Sequence, residues 1–204
     1  MKNKVCILAI DDGPHEKEDL ARNHELHLND PPRTTQLIGA ICKGAQLLHV
    51  VKSRIQVDGE DATDQILNLF YTNPYTREIR LIMIDSPTLG GFNVPNPVEI
   101  FEQTHVPVLL IPDRSPKEKI VEIYSSVFPD RKKQRSWLEN LPTLEKLTVT
   151  LINDEKITRD IYFHAIGTSK QEIAGLIYSL SEYSGIPEPL RLAHLIASAQ
   201  ILNP

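Results

Sequence analysis

Aspartate follows the end of three apolar runs in this sequence. These ends are Ile10-Asp11-Asp12, Val57-Asp58-Gly59 with Asp61 just beyond, and Ile84-Asp85-Ser86. Because an open sheet binds ligands beyond its strand ends, we expect these carboxylates to lie in one cleft. Neighbouring carboxylates repel each other unless a cation neutralises them, and oxygen ligands suit Mg²⁺ or Mn²⁺. The pattern therefore predicts a divalent-metal site of the kind that activates water for attack on a phosphodiester.

The same aspartates also have a structural interpretation. Aspartate is common in turns and at helix N-caps, and Asp61 fits the N-cap of a helix over residues 61–73, with Asp64 in its first turn. Asp58 competes with Asp61 as the second metal ligand. The structural interpretation suffices for any one junction and weakens when all three are taken together.

Hydropathy predicts the elements that must position these residues. Strands are expected over residues 4–10, 35–43, 47–57, 79–84 and 106–111, with helices over 61–73 and 98–103. Residues 44–46 have the length and the glycine of a hairpin turn, so the second and third strands are expected to be antiparallel. The βα units that follow imply parallel strands. The predicted fold class is α/β, a mixed sheet of three antiparallel strands and then parallel βα units, flanked by helices.

The second half of the chain extends this pattern. Helices are expected over residues 115–127 and 131–141, strands over 147–152 and 161–166 with a turn at 153–156, and helices from Ser169 and from Pro187 to about Ile201. Residues 13–33 are polar, carry three histidines and are predicted to form a long loop.

The composition is typical of one globular domain over residues 1–204. The chain is 41% hydrophobic and 24% charged, with a formal net charge of −5, so it cannot coat a phosphate backbone as a whole. Cys6 and Cys42 lack the spacing of a zinc site or a disulfide scaffold. The apolar run near the N-terminus is too short for a signal peptide or a spanning helix. We therefore expect a cytoplasmic protein that does not associate with membranes.

Four motifs together resemble one protein family. They are Ile10-Asp11-Asp12-Gly13-Pro14, Val57-Asp58-Gly59-x-Asp61-Ala62-Thr63, Gly90-Gly91-Phe92-Asn93-Val94 and Pro187-Glu188-Pro189-Leu190-Arg191-x-Ala193-His194-Leu195-Ile196-Ala197. In these stretches the chain is similar to the endonuclease dU family, also called DUF99 or UPF0215, which is related to endonuclease V. The resemblance implies an RNase H-like fold.

The resemblance also implies an activity. Such proteins are archaeal nucleases of DNA repair that cut DNA near deaminated bases, deoxyuridine especially, with Mg²⁺ or Mn²⁺. On this basis Asp11, Asp61 and Asp85 are the expected catalytic metal ligands, and DNA containing deaminated bases is the expected partner. After the fourth strand the family pattern leads us to expect Asp-Gly, and this chain has Asp85-Ser86-Pro87 there.

Two further segments are candidates for substrate contact. Gly90 and Gly91 would allow close backbone approach, Phe92 could stack on a base, and Asn93 could bond a base edge or a phosphate. The alternative is a Phe that anchors a tight turn in the core. The segment 131–137, Arg-Lys-Lys-Gln-Arg-Ser-Trp, is the one dense basic run; a solvated helix face is favoured there over a DNA contact.

The last predicted helix carries three ionisable residues in an apolar sequence. Glu188 could act as a further metal ligand, His194 in proton transfer, and Arg191 on a phosphate. The alternative is a Glu188–Arg191 salt bridge. Because this helix is apolar on nearly all sides, we expect it to be buried or covered by a partner, which allows a homodimer through it.

Two other functions stay open from the residues alone. One is a non-catalytic module that binds nucleic acid or nucleotides on an RNase H-like scaffold, with an incomplete acidic cluster. The weaker one is an acidic phosphotransferase of the same broad fold. The phosphate-binding loop of P-loop NTPases and the dinucleotide fingerprint are both absent from the sequence.

Overall fold

The computed structural model describes residues 5–15, 33–112 and 117–199, and these residues form an α/β fold around one mixed sheet. The strands are β1 (Cys6–Asp12), β2 (Thr34–Lys43), β3 (Gln46–Gln56), β4 (Ile79–Ile84), β5 (Val108–Leu110), β6 (Glu145–Leu151) and β7 (Asp154–Ile166). The helices are α1 (Ala62–Tyr71), α2 (Pro97–Thr104), α3 (Lys117–Val127), α4 (Lys132–Glu139), α5 (Lys170–Ser181) and α6 (Glu188–Ser198). The order across the sheet is β3-β2-β1-β4-β5-β7-β6.

The first five strands confirm the predicted pattern. β1 pairs antiparallel with β2, which pairs antiparallel with β3. β4 then pairs parallel with β1, and β5 pairs parallel with β4. β1 is central and buried over most of its length, as its continuous run of apolar residues predicts.

The last two strands extend the sheet beyond β5. β7 pairs antiparallel with β5, and β6 forms a hairpin with β7 at the edge. The predicted turn at residues 153–156 was too long, because β7 begins at Asp154 and pairs with Leu151 across a register shift. Backbone hydrogen bonding in this hairpin overrides the turn preference of the polar residues.

Two hydrophobic layers cover the sheet. Alternate residues of β1 point to opposite faces: Leu8 and Ile10 join the layer that contains α1 and α2, while Ile7 and Ala9 join the layer that contains α5 and α6. We call these the α1 face and the α6 face. Tyr124 of α3 and Leu138 of α4 also belong to the α1 face.

The last helix is buried against its own sheet. Leu190, Ala193 and Ala197 of α6 are almost inaccessible to solvent, and α6 packs mainly on β1 and β2. One face of α6 is thus buried within the chain itself, whereas Leu195 on another side is 49% exposed. Among the described residues, no helix has the length and apolarity needed to cross a membrane. Most of the predicted 13–33 loop, and the predicted start of α3 at Ser115, lie outside those residues.

Candidate active site

Asp11 is held by the last helix. The residue is only 5% exposed, and its Oδ2 lies 2.8 Å from Nδ1 of His194 in α6. The backbone N–H of Asp12 donates to the other oxygen, Oδ1, at 2.8 Å. Burial raises the pKa of Asp11, although the hydrogen bonds from His194 and Asp12 oppose that shift. The structure thus joins the two ends of the chain at one buried carboxylate.

His194 lies between this carboxylate and solvent. An ionised carboxylate only accepts hydrogen bonds, so beside ionised Asp11 the Nδ1 atom is the donor and Nε2 is left for a second partner. The His194 side chain is 61% exposed. The ring therefore has one end fixed and the other accessible, as a proton-transfer group requires.

Asp85 follows β4 directly beside this pair. Ile84 is the parallel partner of Ile10, and the N–H of Asp85 continues the ladder by donating to the carbonyl of Ile10 at 3.1 Å. Met83, two residues earlier, belongs to the α6 face, and side chains alternate along a strand. Asp85 therefore shares the strand end and the sheet face of Asp11.

Asp12 was named with Asp11 in the first motif but was given no role of its own, and it lies on the opposite face of the sheet from Asp11. Burial, and then the charge of Asp11, raise the pKa of Asp12 to about 6, while a hydrogen bond from the backbone of Gly90 opposes the shift. His15 Nδ1 lies 3.7 Å from its carboxylate. The doubled aspartate in the first motif was the available signal: consecutive residues at a strand end must serve both faces.

The loop that contains Asp58 is hydrogen-bonded to the loop that contains Gly90 and Gly91. Asp58 has φ of 53°, its N–H donates to the Gly90 carbonyl at 2.8 Å, and its Oδ1 accepts the Phe92 N–H at 2.9 Å. A Cβ on Gly91 would lie 2.4 Å from that same Oδ1. Glycine at position 91 therefore allows the close approach of the Asp58 carboxylate, and the contact of these glycines with a nucleotide stays a prediction.

Asp61 and Asn93 close the start of α1. Asp61 stands at the N-cap position, yet its side chain does not cap the helix; its Oδ1 accepts from the N–H of Gln56 and, at 2.6 Å, from Nδ2 of Asn93. Asn93 Oδ1 accepts the Ala62 N–H at 2.9 Å and so caps the helix instead. Asn93 is fully buried and uses both ends of its amide, so the predicted contact with a base edge or phosphate is not available to it here.

Phe92 and the basic run support this loop from the α1 face. Phe92 packs edge-to-face on Tyr124 and Phe128, with ring centroids 6.2 and 5.8 Å away, which matches the core-anchor alternative. Arg131 stacks 4.2 Å above the Phe128 ring and donates from Nη1 to the Asp58 carbonyl at 2.6 Å. Lys133 lies over Trp137.

Glu188 and Arg191 are not part of the Asp11 group. They form a two-bond ion pair, with distances of 2.7 and 2.6 Å, as the structural alternative expected. Both line a hollow together with Ala45, which lies in the turn between β2 and β3. In the same turn, the N–H of Gly44 donates to the carbonyl of Val5, just before β1. They therefore lie near the beginning of β1, and Asp11 lies near its end.

The residues present fit a hard divalent cation. Mg²⁺ is usually held by one or two carboxylates, with water and substrate phosphate completing its shell, and Asp11 and Asp85 offer such carboxylates at adjacent strand ends. Burial raises the pKa of Asp11 and of Asp12, and the neighbouring His194 and His15 oppose these shifts only in part. Within residues 5–15, 33–112 and 117–199, no group of three or more His, Cys, Asp or Glu side chains is arranged to hold a metal.

The fold is that of endonuclease V. A Ciona intestinalis endonuclease V, solved with a 24mer DNA containing an inosine followed by a ribo-adenosine, aligns with a TM-score of 0.59 at 9% identity over 98% of this chain and 87% of that one. Human endonuclease V aligns with a TM-score of 0.55 at 12% identity, over 97% and 84%. This likeness confirms the predicted RNase H-like architecture.

The chain belongs to the endonuclease dU family, whose model matches residues 3–201. A UPF0215 protein of Methanothermobacter thermautotrophicus is 30% identical over 100% of this chain and 91% of its own length. One from Thermococcus gammatolerans is 33% identical over 81% and 80%. An Archaeoglobus fulgidus protein of unknown function aligns with a TM-score of 0.76 at 24% identity, over 98% of this chain and 100% of that one. Family and fold together support a nuclease.

Proposed function

We propose that this chain is an endonuclease that uses Mg²⁺ or Mn²⁺ to cut DNA near deaminated bases such as deoxyuridine. The observation that carries the proposal is the hydrogen bond between buried Asp11 and exposed His194, beside Asp85 at the neighbouring strand end. Support for DNA with a deaminated base comes from the family name and from the inosine-containing DNA in the Ciona endonuclease V complex.

Asp11 and Asp85 would hold the cation, with Asp12, Asp58 and Asp61 as further carboxylates at the same end of the sheet. When bound, the cation would lower the pKa of a water and offset the charge of the phosphate. The chain's own groups supply orientation and proton transfer. Asp12 N–H and His194 fix the Asp11 carboxylate, and Nε2 of His194 can exchange a proton with the reacting oxygens.

The proposed reaction is the hydrolysis of one phosphodiester bond. Water oxygen attacks phosphorus, one P–O ester bond breaks, and the leaving oxygen gains a proton while the attacking water loses one. His194 can serve either transfer. Its Nδ1–H remains hydrogen-bonded to Asp11 throughout, and only Nε2 gains or loses a proton.

The decisive experiment uses end-labelled duplexes that carry one deoxyuridine or one inosine, with unmodified duplex beside them. Wild type should cut the modified strand with Mg²⁺ or Mn²⁺ and not with chelator. Asp11→Asn and His194→Ala should each lower the rate by about 10²-fold or more. Asp160→Asn is the matched control, since Asp160 is exposed on β7 and bonded to Thr148 and Lys146.

A non-catalytic binding module is the competing function. It is favoured by the lack of a preformed three-residue metal group in the described part of the chain. Binding of the modified duplex without cutting by wild type would replace the nuclease proposal with this alternative. Cutting by Asp11→Asn at the wild-type rate would instead remove Asp11 from the proposed metal site.

A further inference from the structure

The β2–β3 hairpin is a basic element in an acidic chain. The whole protein has a formal net charge of −5, yet neither strand of this hairpin contains Asp or Glu. The hairpin carries Lys43, Lys52 and Arg54, so its local charge is opposite in sign to that of the molecule. Such a reversal concentrates an attractive potential for anions at one edge of the sheet.

Two of these cations stand level with the candidate active site. Asp11 is the register partner of Ile38, and Ile38 is the partner of Lys52. Antiparallel partners are about 5 Å apart, so the Cα atom of Lys52 lies about 10 Å from that of Asp11. Arg54 is the partner of Gln36, whose carbonyl accepts the N–H of Gly13 at 2.8 Å.

Both cations point to the same face as Asp11. Ile55 and Val51 of β3 pack into the layer on the α1 face, so Lys52 and Arg54, at alternate positions, project on the α6 face. Among the described residues, α6 packs mainly on β1 and β2 and only slightly on β3. Lys52 and Arg54 are exposed, and Arg54 is oriented by a hydrogen bond to Thr34 Oγ1 at 3.0 Å.

We propose that Lys52 and Arg54 bind the phosphates of the nucleic-acid strand that flanks the scissile bond. This inference rests on the proposed nuclease function and adds a binding surface to it. One strand of a duplex advances about 3.4 Å along the helix axis per nucleotide, so a surface about 10 Å from Asp11 is close enough to meet phosphates that flank the reacting one. Contacts to phosphate position the strand and carry no base identity. Among the described residues Lys52 has no ion-pair partner, so it keeps its charge for a ligand.

The test compares Lys52→Gln/Arg54→Gln with a matched control, Lys146→Gln/Arg159→Gln, which removes one lysine and one arginine near the opposite edge. Binding to the deoxyuridine duplex is followed by fluorescence anisotropy over a range of salt concentrations, with every variant also carrying Asp11→Asn to prevent cutting. The β3 double variant should bind about tenfold more weakly near 0.1 M salt, and its log–log salt slope should fall by about 2, or about 1 per cation. The control should keep the slope of the parent.

Cleavage by the same double variant without Asp11→Asn separates this inference from the function on which it rests. KM should rise with kcat unchanged, because the lost contacts hold the strand and not the reacting atoms. An unchanged salt slope and KM in an active enzyme would overturn the phosphate surface alone, whereas an inactive wild type would overturn the nuclease. A double variant that changes the sedimentation coefficient but not DNA affinity would identify the face as a subunit contact and also overturn the inference.

Discussion

Ionisation of Asp12 lowers the free energy of unfolding. Its pKa is raised to about 6, first by burial and then by the charge of Asp11, so the folded state holds a proton that the unfolded chain releases near pH 4. Stability is therefore lost as pH rises from about 4 to about 6, and the full penalty remains at neutral pH.

Asp12→Asn should remove that penalty in metal-free protein. Asn Oδ1 can still accept the Gly90 N–H, so the free energy of unfolding should rise by about 1–3 kcal/mol at about pH 8, and the gain should vanish below about pH 4. Urea denaturation with chelator at both pH values measures this. Asp160→Asn should not stabilise, because bonds from Thr148 and Lys146 lower the pKa of Asp160. A gain of equal size at both pH values would exclude ionisation as its cause.

Single residues also mark the limit of what the sequence could predict. Asp11 and His194 could be found, because each stands in a motif with a clear chemical role. The capping of α1 by Asn93 could not, because it depends on a contact between residues that are 31 positions apart. The roles of Glu188 and Arg191 were ambiguous for a similar reason, because i, i+3 spacing suits both a salt bridge and a pair of site residues. Only the position of α6 along β1 distinguishes these two roles.

At the scale of elements, α4 acts as a brace for the Asp58 loop. Arg131, at the start of α4, bonds the Asp58 carbonyl, pairs with Glu60 at 3.2 Å and stacks on Phe128. Gln134 adds a bond to Glu60 at 2.6 Å. The basic run was favoured as a solvated face, and Lys132 and Lys133 are indeed exposed, but its first arginine faces inward.

Arg131→Gln should therefore destabilise the loop, whereas Lys132→Gln should not. We expect Arg131→Gln to lower the free energy of unfolding by about 1–2 kcal/mol. It should also speed hydrogen exchange at the N–H of Phe92, which donates to Asp58 Oδ1. Lys132 is the control because it is its exposed neighbour. Equal effects of the two substitutions on exchange would show that α4 contributes only surface charge.

Strand direction was the most predictable feature at this scale. Apolar runs, a hairpin turn expected at residues 44–46 and βα alternation were enough to predict three antiparallel strands followed by parallel βα units. The pairing of β7 with β5 was not predicted, because the residues of a strand do not indicate which edge of the sheet it joins. The length of β7 was underestimated because exposed edge hairpins tolerate polar residues that are typical of turns.

Charge distribution links the site to the whole molecule. The molecule is acidic overall, but the acidic residues Asp11, Asp12 and Asp85 are concentrated at one end of the sheet, and the cations of β3 stand beside them. A phosphodiester can approach such a site only if a cation offsets the carboxylates, so metal binding and substrate binding should be coupled.

Divalent cations should accordingly stabilise the protein before any substrate is added. At about ten times its dissociation constant, a cation that binds only the folded state adds about 1.4 kcal/mol, which in a domain of this size is about 3–6 °C in Tm. Differential scanning fluorimetry with Mg²⁺ or Mn²⁺, against NaCl of equal ionic strength, should show that shift in wild type and in Asp160→Asn. Asp11→Asn and Asp85→Asn should lose most of it, because each removes a carboxylate from the same strand end. A shift that NaCl reproduces, or that both substitutions retain, would mean that the cation acts elsewhere on the surface and that these aspartates do not hold it.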